Sequence, residues 1–246
     1  MSVAPRLRMI AGPNASGKTT LTKFLFTLQF NFGDYINADE LEAELNHTGK
    51  LDLSRYKIHI DHQQYRSFFV NHPLSSVPFE NTTEIKENCL YTNGSAIDGY
   101  YAAILADFIR QQLLHYGRSF TFETVMSGID KITFLKSAKE KGYRNYLYYI
   151  CTDDVLINKN RMANRVTLGG HGVPEGKMEP RYDRSLGLLL QAIKLSDRAY
   201  LFDNSGAEHI FIAEVTDGKQ IELKTRDIPG WFIRSVYDKI KPKNNQ

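Results

Sequence analysis

Apolar positions along this chain switch repeatedly between short continuous runs and spacings of three to four residues. Leu7 to Ala11 is a short apolar run that reads as a buried strand, and beyond a glycine-rich turn Leu21, Phe24 and Leu25 fall at helical spacing. Tyr35 to Asp39 reads as a second short strand ending in polar residues, and Glu40 to Leu45 opens a helix with Asp39 placed to cap it. The helical period returns over Tyr100 to Tyr116 and stops at Gly117, then Ser119 to Thr124 alternates as a strand. Ile132 to Lys141 predicts a helix stopped by Gly142, and Tyr146 to Cys151 is a continuous apolar run, the mark of a buried parallel strand. Asp153 or Asp154 caps the next helix, which runs through about Val166. After a loop at Gly169 to Pro174, Glu175 to Leu195 carries Leu186, Leu189, Leu190 and Ile193 on one face, with Pro180 near its start. Ala199 to Phe202 is a further strand, and His209 to Val215 and Gln220 to Thr225 form a hairpin about Asp217-Gly218.

Strands alternating with helices predict an α/β fold: a parallel central sheet with helices on both faces and a C-terminal hairpin. The exception is about His47 to Gly99, which is polar, aromatic and rich in turn signals such as Asn71-His72-Pro73, Val77-Pro78 and Asn93-Gly94. It reads as an insertion, with helix around Tyr56 to Val70, in a single domain spanning 1–246.

The turn after the first strand, Gly12-Pro13-Asn14-Ala15-Ser16-Gly17-Lys18-Thr19, fits the P-loop template of Gly, four residues, Gly-Lys-Ser/Thr. Strand, turn and helix together form an anion cradle, because backbone N–H groups point inward and the helix N-terminus adds roughly half a positive charge. Lys18 then reaches the β and γ phosphates of a nucleotide and the Thr19 hydroxyl binds Mg²⁺, with Thr20 completing the first helical turn. In an open parallel sheet, ligands bind beyond the carboxyl ends of the strands. Four polar sets are expected on that edge: Asn37 with Asp39, Glu123 with Thr124 and Ser127, Asp153 with Asp154, and Asp203 with Asn204. Asp39, 21 residues after Lys18, reads either as a base or water-mediated magnesium ligand, or as a helix cap. Glu123 and Thr124 lean toward a substrate contact, since Glu is a poor strand former. The other aspartates read as caps and a turn. Arg161, Arg165, Arg181 and Arg184 surround the glycine hinge and suit a mobile lid that neutralises a transferring phosphoryl group. His171 reads as a loop anchor, with no second ligand at metal spacing near it.

Composition narrows the classes. A net charge of +3, from 31 basic against 28 acidic residues, gives no basic stripe for nucleic acid or membrane. Two cysteines, Cys89 and Cys151, form neither a disulfide framework nor a metal site by themselves. The apolar run before Gly12 is shorter than a signal peptide's, and no run reaches the length of a spanning helix. A soluble cytoplasmic protein is expected.

The P-loop, Ile36-Asn37-Ala38-Asp39, Phe122-Glu123-Thr124, Arg165 to Glu175 with its Gly169-Gly170-His171 and Val173-Pro174-Glu175, Arg181-Tyr182-Asp183-Arg184-Ser185, and Asp203-Asn204-Ser205 resemble the zeta-toxin family, and more narrowly its chromosomal, zeta-like predicted kinase branch. Order and spacing match across the chain except at about His47 to Gly99. The resemblance implies a P-loop kinase fold using ATP and Mg²⁺, a hydroxyl acceptor on UDP-N-acetylglucosamine, Asp39 as general base, Glu123 and Thr124 in the substrate-contact strand, and Arg165 and Arg181 as phosphate-binding arginines. It also raises an antitoxin-like protein partner. Ala15 stands where the family often has glycine, and is tolerable if its φ is negative. Against this kinase stand two other readings: a P-loop enzyme acting on protein or RNA, and a nucleotide-dependent interaction module built on the insertion.

Overall fold

The structure is a computed structural model, and it describes residues 3–75, 83–169, 172–174 and 176–240. In chain order its elements begin with β1 (Arg6–Ala11), α1 (Lys18–Thr27), β2 (Asp34–Ile36), α2 (Ala38–Thr48), β3 (Lys50–Asp52), α3 (His62–Val70), β4 (Glu84–Lys86) and β5 (Cys89–Tyr91). There follow α4 (Gly99–His115), β6 (Phe120–Thr124), α5 (Asp130–Glu140), β7 (Arg144–Cys151), α6 (Val155–Thr167), α7 (Met178–Lys194), β8 (Arg198–Asp203), β9 (Ile210–Thr216) and β10 (Gln220–Leu223). A helical segment from Gly230 to Ile240 closes the described chain, and its middle, Ile233–Tyr237, is π-helical. The chain divides into two compact units, one of Met1–Asn31 with Glu123–Gln246, the other Phe32–Phe122.

In the first unit the strands run in the order β10-β9-β8-β7-β1. β1 pairs in parallel with β7, with Ala11 opposite Tyr149, and β7 with β8, with Cys151 opposite Asp203. The expected hairpin adds β9 and β10 antiparallel, turning through Asp217 and Gly218, whose φ of 52° and 66° are the left-handed values of a two-residue turn. The expectation of a largely parallel α/β sheet with a C-terminal hairpin therefore holds. β1 places Leu7, Met9, Ile10 and Ala11 entirely out of solvent, as a continuous apolar run in a parallel sheet should. Pro180 lies in the first turn of α7, where its missing N–H has no intrahelical partner to lose. That helix begins at Met178, later than the sequence pattern implies.

The second unit holds the parallel pair β2–β6 and a small antiparallel sheet, β3-β5-β4. The predicted insertion at about 47–99 lies within it. The helix expected around Tyr56 to Val70 is shorter than the pattern suggests. A 3-10 turn covers Leu53–Tyr56, Lys57 sits at φ 52°, and Ile58 and Ile60 are buried on alternate positions around exposed His59. The Asn88 side chain clamps this extended piece, accepting from Ile60 N–H at 2.9 Å and donating to Ile58 O at 2.8 Å. α3 starts only where the Asp61 side chain accepts the Gln64 N–H at 2.9 Å. Tyr101 is a core residue: its hydroxyl bonds Tyr65 at 2.6 Å and also Thr83, and burial pushes it up to about 12. Val77-Pro78 and the tail beyond Ile240 lie outside the described residues.

Candidate active site

The glycine-rich turn is shaped by close approach. A Cβ on Gly12 would stand 2.0 Å from Ile150 O, and one on Gly17 would stand 2.2 Å from Asn204 Nδ2. Gly17 is also the residue before α1, at φ 102°, and offers no side-chain cap to that helix. The cap position thus brings no side chain to the first N–H groups of α1, which suits an anion. Lys18 Nζ folds back over the turn and donates to Gly12 O at 2.9 Å and Pro13 O at 2.8 Å. Thr19 and Thr20 are exposed in the first turn of α1.

Ala15 departs from expectation. Its φ is +57°, in the left-handed region, so the condition for easy replacement of glycine is not met. The Cβ costs about 1 kcal/mol there, partly offset by the backbone entropy that glycine would lose. Ala15→Gly should leave the protein as stable or up to about 1 kcal/mol more stable, as read from the urea unfolding midpoint. Clear destabilisation would show that the methyl group makes a compensating contact.

Within the first unit the loop is held by four neighbours. Gly12 N–H donates to Thr124 O at 3.3 Å. Thr22 Oγ1, one turn into α1, donates to Glu123 Oε1 at 2.5 Å, so the predicted substrate-strand carboxylate is tied to the P-loop helix. Asn158 Nδ2, from α6, donates to Asn14 O at 2.6 Å, and Asn204 Nδ2 donates to Ser16 O at 2.9 Å. No sequence spacing pointed to Asn158. Asn204 was visible only as a polar strand-end residue. The turn expected there is made by Asp203, whose carboxylate accepts from Ser205 N–H and Oγ, both at 2.9 Å. Asn14 Oδ1 and Ser16 Oγ are buried with no hydrogen-bond partner.

The two aspartates after β7 divide their work. Asp154 caps α6 through Leu156 N–H at 2.8 Å, while Asp153 accepts the Trp231 N–H at 2.9 Å. Among the arginines, Arg161 donates to Gly206 O at 3.0 Å and Arg184 to Ser127 O at 3.2 Å, so both hold loops. Arg165 is exposed in the last turn of α6, and Arg181 is half-buried on α7. Gly169 has the left-handed φ, 84°, expected of a hinge, whereas Gly170, His171 and Glu175 lie outside the described residues. Cys151, at the end of β7, is fully buried, which pushes its thiol up to about 12 and removes it as a nucleophile.

Asp39 belongs to the second unit. It is not the helix cap: Asn37 is, its side chain accepting the Asp39 N–H at 3.0 Å, which places Asp39 as the exposed second residue of α2. Asn is as good a cap as Asp, and its position one residue before the helix gives it the extended φ of −132° that a cap needs. The described residues hold no group of three His, Cys, Asp or Glu side chains able to bind a metal. The one exposed hydroxyl of Thr19 fits magnesium, which keeps most of its shell as water and phosphate oxygen.

A buried parallel strand, a glycine-rich turn under a lysine and a helix opening at that turn, in a mostly parallel sheet, define a P-loop α/β fold, the fold class that the resemblance implied. Among solved structures the chain is similar to the AvrRxo1-ORF1:-ORF2 complex, with a TM-score of 0.52 and 17% identity over 96% of this chain and 63% of that one. It is also aligned with a structure of the PezAT chromosomal toxin-antitoxin system of Streptococcus pneumoniae, at TM-score 0.47 and 14% identity over 85% and 71%. An uncharacterized protein of Haemophilus influenzae is 40% identical over 63 residues, 26% of this chain and 45% of that protein. The chain thus spans less than two thirds of the AvrRxo1 chain, at 63%, and of the Haemophilus protein, at 45%. No family model matches. No described helix is long and apolar enough to cross a membrane.

Proposed function

We propose that this protein is an ATP-dependent phosphotransferase with a small-molecule alcohol as acceptor. The observation that carries the reading is Lys18 Nζ held over a backbone cradle at the start of α1, a ready-made seat for a triphosphate. In this reading residues 1–246 are one catalytic domain with an insertion at about 47–99. Gly12 to Thr20 bind the phosphates, and Lys18 exchanges its two carbonyls for β and γ oxygens. Thr19 gives its hydroxyl to magnesium, which neutralises phosphate charge when bound. The acceptor oxygen forms a bond to the γ phosphorus as the β–γ bridging P–O bond breaks, leaving ADP. The acceptor proton passes to the Asp39 carboxylate. Arg165 and Arg181 face the charge that develops on the equatorial oxygens, and Glu123 and Thr124 lie on the substrate strand.

The zeta-toxin resemblance supports a UDP-N-acetyl amino sugar as acceptor and an antitoxin-like protein as partner, in the cytoplasm. The AvrRxo1 relative was itself solved as a two-component complex. The test is transfer of labelled γ-phosphate from ATP into a metabolite pool containing UDP-N-acetylglucosamine. Binding of ATP with no labelled acceptor would sink the assignment. Because Asn37, not Asp39, caps α2, Asp39→Asn spares the helix. It should lower transfer by about 10²-fold or more with ATP affinity unchanged. A normal rate would remove Asp39 from the chemistry.

A further inference from the structure

Two side-chain amides fix the direction of the P-loop's inward N–H groups. In a trans peptide the N–H points opposite to the C=O of the preceding residue, and this chain has no cis peptide among its described residues. The Asn14 carbonyl shares a peptide plane with the Ala15 N–H, and the Ser16 carbonyl shares one with the Gly17 N–H. Asn158 Nδ2 takes the first carbonyl at 2.6 Å and Asn204 Nδ2 the second at 2.9 Å. Each amide therefore turns one N–H of the loop away from itself. The left-handed φ values at Ala15, 57°, and Gly17, 102°, are those of a backbone nest, in which successive N–H groups converge on an anion.

The amides are themselves oriented. The Thr152 hydroxyl bonds Asn158 Oδ1, so the NH₂ end of Asn158 faces Asn14. Tyr182 on α7 donates to Thr152 O at 2.7 Å and anchors that residue. Asn204 packs so closely that a Cβ on Gly17 would stand 2.2 Å from its Nδ2 and displace the amide. Asn158 is 1% exposed, so its contact with the loop is not exchanged for water.

We propose that Asn158 and Asn204 are positioning residues that pre-organise the P-loop for polyphosphate, acting through the Asn14 and Ser16 carbonyls without touching the nucleotide. The proposal rests on the P-loop being a phosphate site, as in the reading above, but not on which acceptor is used or whether transfer occurs. The experiment measures dissociation constants of the full chain for Mg-ATP and for tripolyphosphate by calorimetry, for wild type, Asn158→Ala, Asn204→Ala and Thr152→Val. Losing one orienting hydrogen bond should weaken both ligands about tenfold in each alanine variant. Thr152→Val, remote from the loop, should weaken them by a few fold. Because ground state and transition state need the same loop geometry, KM for ATP should rise while kcat changes less than threefold.

A purely structural role predicts a lower melting temperature with unchanged affinities in the folded protein. Affinities within twofold of wild type in both folded alanine variants would overturn the proposal, and so would a wild type that binds neither ATP nor tripolyphosphate. A wild type that binds both yet transfers nothing would overturn the phosphotransferase reading alone. If an alanine variant does not fold, Thr152→Val decides: unchanged tripolyphosphate affinity counts against the proposal, and weakened affinity supports it.

Discussion

Lys18→Ala is expected to reduce phosphoryl transfer by about 10³-fold while leaving the folded state intact. The lysine is the one cation that the P-loop itself carries, and its Nζ is already held above the loop by Gly12 O and Pro13 O. In the transition state of the proposed transfer that charge would face oxygens whose negative charge is growing, so its removal would cost more there than in the ground state. A loss of 10³ corresponds to about 4 kcal/mol of transition-state stabilisation. Stability should fall by no more than about 1–3 kcal/mol, because two carbonyls of the buried residues Gly12 and Pro13 lose their donor. Lys18→Arg should not restore the rate, since the planar guanidinium cannot occupy a seat sized for an ammonium. The measurement is kcat/KM for transfer alongside a thermal melt. Turnover within tenfold of wild type in the alanine variant would remove Lys18 from the mechanism.

Trp231→Ala is expected to destabilise the protein by about 4 kcal/mol, lowering its melting temperature by roughly 8–16 °C. The indole is completely buried and lies 5.9 Å, centroid to centroid, from the Tyr149 ring of β7. Its Nε1 donates to Asp203 Oδ1 at 2.9 Å, and its backbone N–H donates to Asp153 Oδ1 at 2.9 Å. Truncation opens a cavity and also removes one of the two donors to Asp203 Oδ1, which keeps the Ser205 hydroxyl, so the loss of the hydrogen bond adds to the cavity term. Trp231→Phe separates them: it refills most of the volume but still removes the indole donor from Asp203, and should cost about 1.5–3 kcal/mol. Chemical denaturation of the three proteins checks this. Equal stability of the phenylalanine variant and wild type would show that the indole N–H contributes nothing.

The parts of this molecule that the sequence reveals are those in which a local pattern and the fold agree. β1, the glycine-rich turn and α1 are contiguous, so motif and period could be read together. Asp217-Gly218 between two alternating runs announced its hairpin for the same reason. The three-residue strands β3, β4 and β5 were opaque: Lys50–Asp52 pairs with Cys89–Tyr91, some forty residues away, and three residues are too few to show a period. Tertiary pairing, not propensity, makes them strands. The clamps on the P-loop were hidden by the same physics. Asn158 reaches Asn14 across 144 residues and Asn204 reaches Ser16 across 188, and an asparagine on a helix or after a strand carries no mark of such a contact. The φ of Ala15, 57°, follows the path of the loop's backbone, which the residue type alone does not give. Asp39 was legible as a candidate for chemistry, but its residue type suited the cap as well, and only the backbone shows that Asn37 takes that task.

That assignment has a consequence for how the protein can change over time. With Asn37 starting the helix, the cap does not depend on which side chain stands at position 39. Drift or selection can try other side chains there while α2 keeps its start. On the proposed mechanism, a lineage that lost Asp39 would keep its architecture as an inactive binding protein, and one that regained the carboxylate would recover a catalyst.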